Sequence, residues 1–228
     1  HTHECSSAAS DVYKRQHEVP ARFINPEFSP ILAGGAGAFT YASKIRKEAK
    51  LKEDFVMLTD AGNIFQGSQL GTYDGGSNII KWMNWMAYDA IVPGVRDFDQ
   101  GVNNLSKLAS EANFPFLASN LEGVDGIEDY KIIDANGVKI GLIGLITPFI
   151  SEGLLPEYYE GVAVSDIKKT LSTQIEKIRS DVDLIFVLSH LGIPYDREDE
   201  YDDFIKDIEQ GVVNIFNKII ILIFPIIW

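Results

Sequence analysis

The sequence predicts an α/β fold, and three observations carry that prediction. Short apolar runs at residues 55–58, 90–92, 114–118 and 184–188 have the character of buried strands. The stretches between them repeat apolar residues at helical spacing, as in Ile79, Ile80, Met83, Met86 and Ala87. The first two runs lead into polar, glycine-marked turns, residues 60–67 and 93–101. Loops after the strands are where α/β folds place their chemistry.

Composition narrows the functional classes. A chain of 228 residues, 46% hydrophobic and 23% charged, has room for one good-sized core or two small domains. The net charge of −13 argues against a nucleic-acid polymer as partner. It permits a small anionic substrate, because a local metal or arginine outweighs the global field. The single cysteine, Cys5, excludes an intramolecular disulfide and a cysteine-rich zinc site. No secretory leader pattern is visible at the start.

Taken in order, residues 1–20 show no periodic apolar pattern, and residues 7–16 resemble translated adapter sequence. This segment is expected to be unstructured or artefactual. Residues 21–211 are expected to form the folded domain. Residues 39–51 read as a helix with Phe39, Ala42, Ile45 and Ala49 on one side, entered by a tight turn at Gly34 and Gly35. Gly35-x-Gly37 lacks the third glycine of a dinucleotide loop, where Thr40 stands. Residues 77–88 and 101–113 are expected helices, the second with Val102, Leu105, Leu108 and Ala109 inward. Trp82 and Trp85 sit at helical spacing and read as core or as packing against a neighbour.

Asn136-Gly137 between two apolar runs predicts a hairpin of residues 130–134 and 138–145, because both residues tolerate positive φ. Residues 165–179 read as a helix capped by Ser165, with Ile167, Leu171, Ile175 and Ile178 buried. The strand at 184–188 then delivers His190 to its carboxyl end. The acidic run at 196–209 lacks the central glycine of a calcium loop and reads as a solvated helix face. The apolar tail within 212–228 is too short for a membrane span, which needs ~20 residues. A buried strand, a frameshifted end and a truncation beside a sequence error all account for it.

Asp60-Ala61-Gly62-Asn63-x-x-Gln66-Gly67-Ser68 resembles the Asp-Ala-Gly-Asp-x-x-Gln-Gly-[Ser/Thr] motif of the 5′-nucleotidase group of metallophosphoesterases. Gly94-Val95-Arg96-Asp97-Phe98-Asp99 stands where that group carries Gly-Asn-His-Glu-Phe-Asp. Leu188-Ser189-His190-Leu191-Gly192 is similar to the group's Leu-Ser-His-Leu-Gly. The resemblance runs from about Gly34 to Gly192. It implies a sandwich of two mixed sheets flanked by helices, with the site at the strand ends. It also implies a metal-dependent phosphoric ester hydrolase acting on a small phosphomonoester such as a nucleotide, in a periplasmic or extracellular setting. The group's C-terminal substrate domain has no counterpart in these residues.

The implied chemistry rests on two divalent metal ions of the Mn, Zn, Mg or Ca type, which bind the phosphoryl group and activate a water. Ligand positions are hard oxygens and imidazoles. Here the bridging carboxylate position is Asn63, a neutral amide with one good oxygen, and a ligand asparagine is replaced by Val95. Arg96 stands for the catalytic histidine and stays protonated, so it is no general acid. Asp97 stands for the glutamate, and His190 keeps a metal-ligand position. Asp60, Gln66 and Asp99 are expected behind these groups, orienting the loops. No histidine follows His190, and His1-x-His3 reads as a solvated end.

Three readings follow: a weakened or inactive phosphoesterase, a non-catalytic descendant that binds an anion or partner through Arg96, or an active variant chemistry around Asn63 and Arg96. The plain alternative for Arg96 is an ion pair with Asp97, Asp99 or Asp60.

Overall fold

The structure, a computed structural model, describes residues 34–65, 69–191 and 219–223. The expectations for residues 1–20, for Gln66 and for the acidic run at 196–209 lie outside these residues, as does the tail apart from 219–223.

Helix α1 spans Gly34–Lys52 and so begins five residues before the predicted start. The expected tight turn at Gly34 and Gly35 does not form. Ala36 and Ala38 favour helix, none of the three glycines there takes a positive φ, and the Thr40 hydroxyl donates to the Ala36 carbonyl. Arg46 on this helix donates to the Met86 and Ala87 carbonyls, at 2.5 and 2.7 Å.

The first strand is shorter and later than predicted. Ladder pairing is confined to β1, Thr59–Asp60. Just before it, the Leu58 N–H donates to the Asp89 carboxylate at 2.7 Å instead of continuing the ladder, and Phe55 is 38% exposed. Helices α2, Gln69–Thr72, and α3, Ser77–Met86, lead to β2, Ala90–Ile91. Helix α4, Val102–Glu111, leads to β3, Phe116–Leu117. With β5, Ile127–Glu128, these strands form a sheet of order β1-β2-β3-β5, parallel at every pair. Among the described residues this sheet is parallel throughout. Helices between β1 and β2 and between β2 and β3 return the chain in the same direction, as parallel pairing requires.

The second sheet is mixed. Strand β6, Tyr130–Ala135, and β7, Val138–Ile146, form the predicted hairpin, with φ of 56° at Asn136 and 93° at Gly137. Strands β9, Leu184–His190, and β10, Ile219–Ile223, complete the order β10-β9-β7-β6, with β10 and β7 parallel to β9. Within the apolar tail, residues 219–223 form a strand. Helix α5, Ile150–Gly153, and a two-stranded ribbon of β4, Leu121–Glu122, with β8, Ala163–Val164, flank the sandwich.

Helix α6, Ile167–Ile178, starts later than predicted, and its cap is Asp166 rather than Ser165. The Asp166 carboxylate accepts the Lys169 N–H at 2.8 Å, while the Ser165 N–H donates to the Asn120 carbonyl, which holds Ser165 in the incoming strand.

Three apolar clusters give the layers. Ile167, Leu171, Ile175 and Ile178 of α6 pack on Ile143, Leu145, Ile185 and Val187 of the mixed sheet. Helices α3 and α4 cover the parallel sheet through Ile80, Met83, Leu105 and Leu108. Ala61, Ala90, Val92, Leu117, Leu142 and Leu188 fill the space between the sheets. Gly144 lets the sheets approach, since a Cβ there would collide with the Leu117 backbone. Trp82 packs near Tyr88, and Trp85 is 71% exposed and stacks on Phe39, with ring centroids 4.8 Å apart. Trp85 is thus a surface contact between helices and no core residue. Among the described residues no helix is long and apolar enough to cross a membrane.

Candidate active site

The predicted site residues converge where β1, β2 and β9 end. At the end of β1 the Asp60 carboxylate accepts the Gly62 N–H at 2.8 Å and turns the chain. Gly62 has φ +94°, and a Cβ there would lie 2.6 Å from the Val92 carbonyl oxygen. Any side chain would separate the two loops. Asn63 follows at φ 59°, a conformation asparagine tolerates. From the second loop, Gly94 abuts the first, since a Cβ on it would sit 2.6 Å from the Asn63 nitrogen.

Asp97 joins the two loops. It lies in the 3₁₀ turn Val95–Phe98 and is fully buried. Its Oδ2 accepts the Asn63 and Gly94 N–H groups at 2.8 and 2.7 Å, and its Oδ1 accepts the Ile64 N–H at 2.8 Å. Hydrogen bonds to an ionised acceptor are about twice as strong as neutral ones. In return the Asn63 Oδ1 accepts the Arg96 N–H at 2.9 Å.

His190, 2% exposed, reaches the same loops from the mixed sheet. Its Nδ1 faces the Ala61 carbonyl, and its Nε2 accepts the Val95 N–H at 3.4 Å. One acceptor and one donor suit the neutral ring protonated at Nδ1, a tautomer assigned from these bonds. The Val95 side chain is buried in the cluster of Ile64, Phe65 and Phe98.

Arg96 sits at the mouth. Its side chain is 43% exposed, with Nη1 3.7 Å from the Asp99 carboxylate. Asp99 is one of the three partners expected for Arg96. Burial pushes the Asp99 carboxyl above its ordinary pKa, and the Arg96 charge opposes that shift. Tyr88 is pushed upward too, first by burial and then by the Asp60 charge, with Arg46 opposing.

Among the described residues, the groups at these loop ends do not suit a pair of divalent cations. The Asn63 oxygen is engaged by the Arg96 N–H, Val95 offers no donor, and both Asp97 oxygens hold backbone amides. Both His190 nitrogens face backbone groups. Among the described residues no three His, Cys, Asp or Glu side chains form a group able to hold a metal. An open cavity of about 640 Å³ lies beyond the other end of β1, lined by Arg46, Lys50, Phe55 and Asn136, and none of the site residues borders it.

Sequence reasoning placed Asn63, Asp97 and His190 together but missed the three-amide clamp on Asp97. A signal existed: an acidic residue three positions after Gly94 bonds back to the amide that opens a helical turn. The Ala61 carbonyl opposite His190 had no signal, since a backbone group carries none.

No protein-family model matches the chain. Among curated proteins, the 5′-nucleotidase of Rattus norvegicus is 30% identical over 202 residues, which are 82% of this chain and 34% of that protein. The snake venom 5′-nucleotidase of Crotalus adamanteus is 32% identical over 174 residues, 71% of this chain and 29% of that protein. The chain thus spans about a third of the length of the curated relatives it matches. Among solved structures, a calcineurin-like phosphoesterase of Bacillus subtilis matches with TM-score 0.61 and 26% identity, covering 80% of this chain and 60% of that one. A 5′-nucleotidase precursor of Thermus thermophilus matches with TM-score 0.61 and 25% identity over 70% of this chain and 32% of that one.

Proposed function

We propose, for a chain that carries an N-terminal metallophosphoesterase domain of the 5′-nucleotidase kind, that the centre for phosphomonoester hydrolysis is not assembled here. The observation that carries this reading is the Asn63 carboxamide. It stands where the resemblance implies a metal-bridging carboxylate, and its oxygen is taken by the Arg96 N–H. A neutral amide so engaged bridges no cations, and the arginine beside it adds positive charge at the mouth. The domain would comprise residues 21–211. Its ancestral substrate would be a small phosphoester, and its setting, by analogy with relatives named as a venom protein and a precursor, periplasmic or extracellular.

The test is turnover of AMP and of an aryl phosphate with and without Mn²⁺. We expect no turnover above background. Manganese-dependent turnover that His190→Ala abolishes would overturn the reading.

Anion or partner binding through Arg96 has one observation in its favour, the exposed position of that side chain at the mouth. Its pairing with Asp99 opposes it. Equal phosphate affinity in Arg96→Ala and the parent chain would remove it.

A further inference from the structure

We propose that the two site loops are locked to each other and to the mixed sheet by protein groups alone, with Asp97 as the positioning residue. The inference rests on the proposed function in one respect, that no metal pair sits between the loops.

The geometry converges from three directions. Asp97, on the second loop, takes the Asn63 and Ile64 N–H groups of the first loop and the Gly94 N–H of its own. Asn63 returns a bond from the first loop to the Arg96 N–H of the second. His190, at the end of β9, touches the Ala61 carbonyl of one loop and the Val95 N–H of the other. One carboxylate, one carboxamide and one imidazole thus satisfy backbone groups that a buried loop end would otherwise leave unpaired. Gly62 and Gly94 have no room for side chains between them, so the loops close on contact. The node is complete without a cation, and the order of the cleft is expected to be independent of metal.

The experiment is hydrogen exchange read by mass spectrometry on peptides covering residues 61–65 and 94–99 of the full chain, in EDTA and in millimolar Mn²⁺. We expect the same protection in both. Asp97→Asn is expected to speed exchange in both peptides together by roughly tenfold or more, because a charged acceptor of three amides becomes a neutral one. Asp97→Glu, which keeps the charge, is expected to recover much of the protection.

Unchanged protection in Asp97→Asn overturns the inference, and so does protection in the parent chain that rises with Mn²⁺. If Asp97→Asn does not fold, Asn63→Ala replaces it, with faster exchange expected in the 94–99 peptide and unchanged exchange counting against the node. Manganese-slowed exchange together with manganese-dependent hydrolysis would remove both this inference and the functional reading. Absent hydrolysis with Asp97-independent protection would remove this inference alone.

Discussion

The mixed sheet and the loop end of the parallel sheet are held by different forces. In the mixed sheet β7 runs nine residues, pairs continuously with β6 and β9, and buries Leu142, Ile143 and Leu145. In the parallel sheet the strands are two residues long, and their ends are fixed by Asp60, Asn63, Asp97 and His190 acting on backbone groups. Apolar burial is non-directional and tolerates repacking, whereas a buried polar node fails when one partner goes. The difference teaches that the scaffold and the site can diverge separately. Asn63, Val95 and Arg96 lie on the loops, so a substitution there is expected to alter the node while the ladders beneath stay intact.

The largest expected effect lies in the scaffold. Ile143 is fully buried between β9 and α6, so Ile143→Ala should cost about 2–5 kcal/mol in a urea titration. A cost near zero would mean that the apolar layer does not carry the mixed sheet, and the contrast would collapse. Next comes Gly94→Ala at the node. The new methyl meets the Asn63 nitrogen and the His190 ring, and overpacking of this kind costs about 1–3 kcal/mol. Hydrogen exchange should place that loss in the two loops and leave the hairpin protected. If the hairpin loosens equally, the two regions are one cooperative unit.

Asp166→Ala should cost about 1 kcal/mol through the lost cap on α6, while Ser165→Ala should cost less, which thermal melts of the two variants will separate. The smallest effect belongs to the mouth. The folded state holds the Asp99 proton more tightly than the unfolded chain does, because burial raises this pKa. The stability that this shift contributes is present at acid pH and is lost as pH rises through the carboxylate range. Relative to Asp99→Asn, the parent chain should therefore gain stability on acidification, by less than about 1 kcal/mol given the exposure of the Arg96 pair. A trend of opposite sign would show that the Arg96 charge outweighs burial.

Much of the architecture was legible because periodicity and turn chemistry are local. Ile167, Leu171, Ile175 and Ile178 announce one helix face, and Asn136-Gly137 announces the hairpin. Boundaries were less legible. The strand expected at 55–58 gives way to side-chain bonding from Asp89, which lies 31 positions beyond Leu58. The cap moved from Ser165 to Asp166 because the Ser165 backbone is engaged by Asn120. In the site, the motifs located Asn63, Asp97 and His190, but their partners are backbone groups, which sequence does not distinguish.

By itself the sequence determined the alternation of strands and helices, the hairpin and the resemblance to metallophosphoesterases, because these rest on residue type and spacing. It also placed an amide, Asn63, where the resemblance implies a metal-bridging carboxylate, and an apolar side chain, Val95, where it implies a ligand asparagine. Only the tertiary structure decided that the Asn63 oxygen faces the Arg96 amide, that Asp97 gathers donors from two loops, and that His190 stands between them. Those bonds join residues up to 129 positions apart, and no local signal sets which buried donor meets which acceptor.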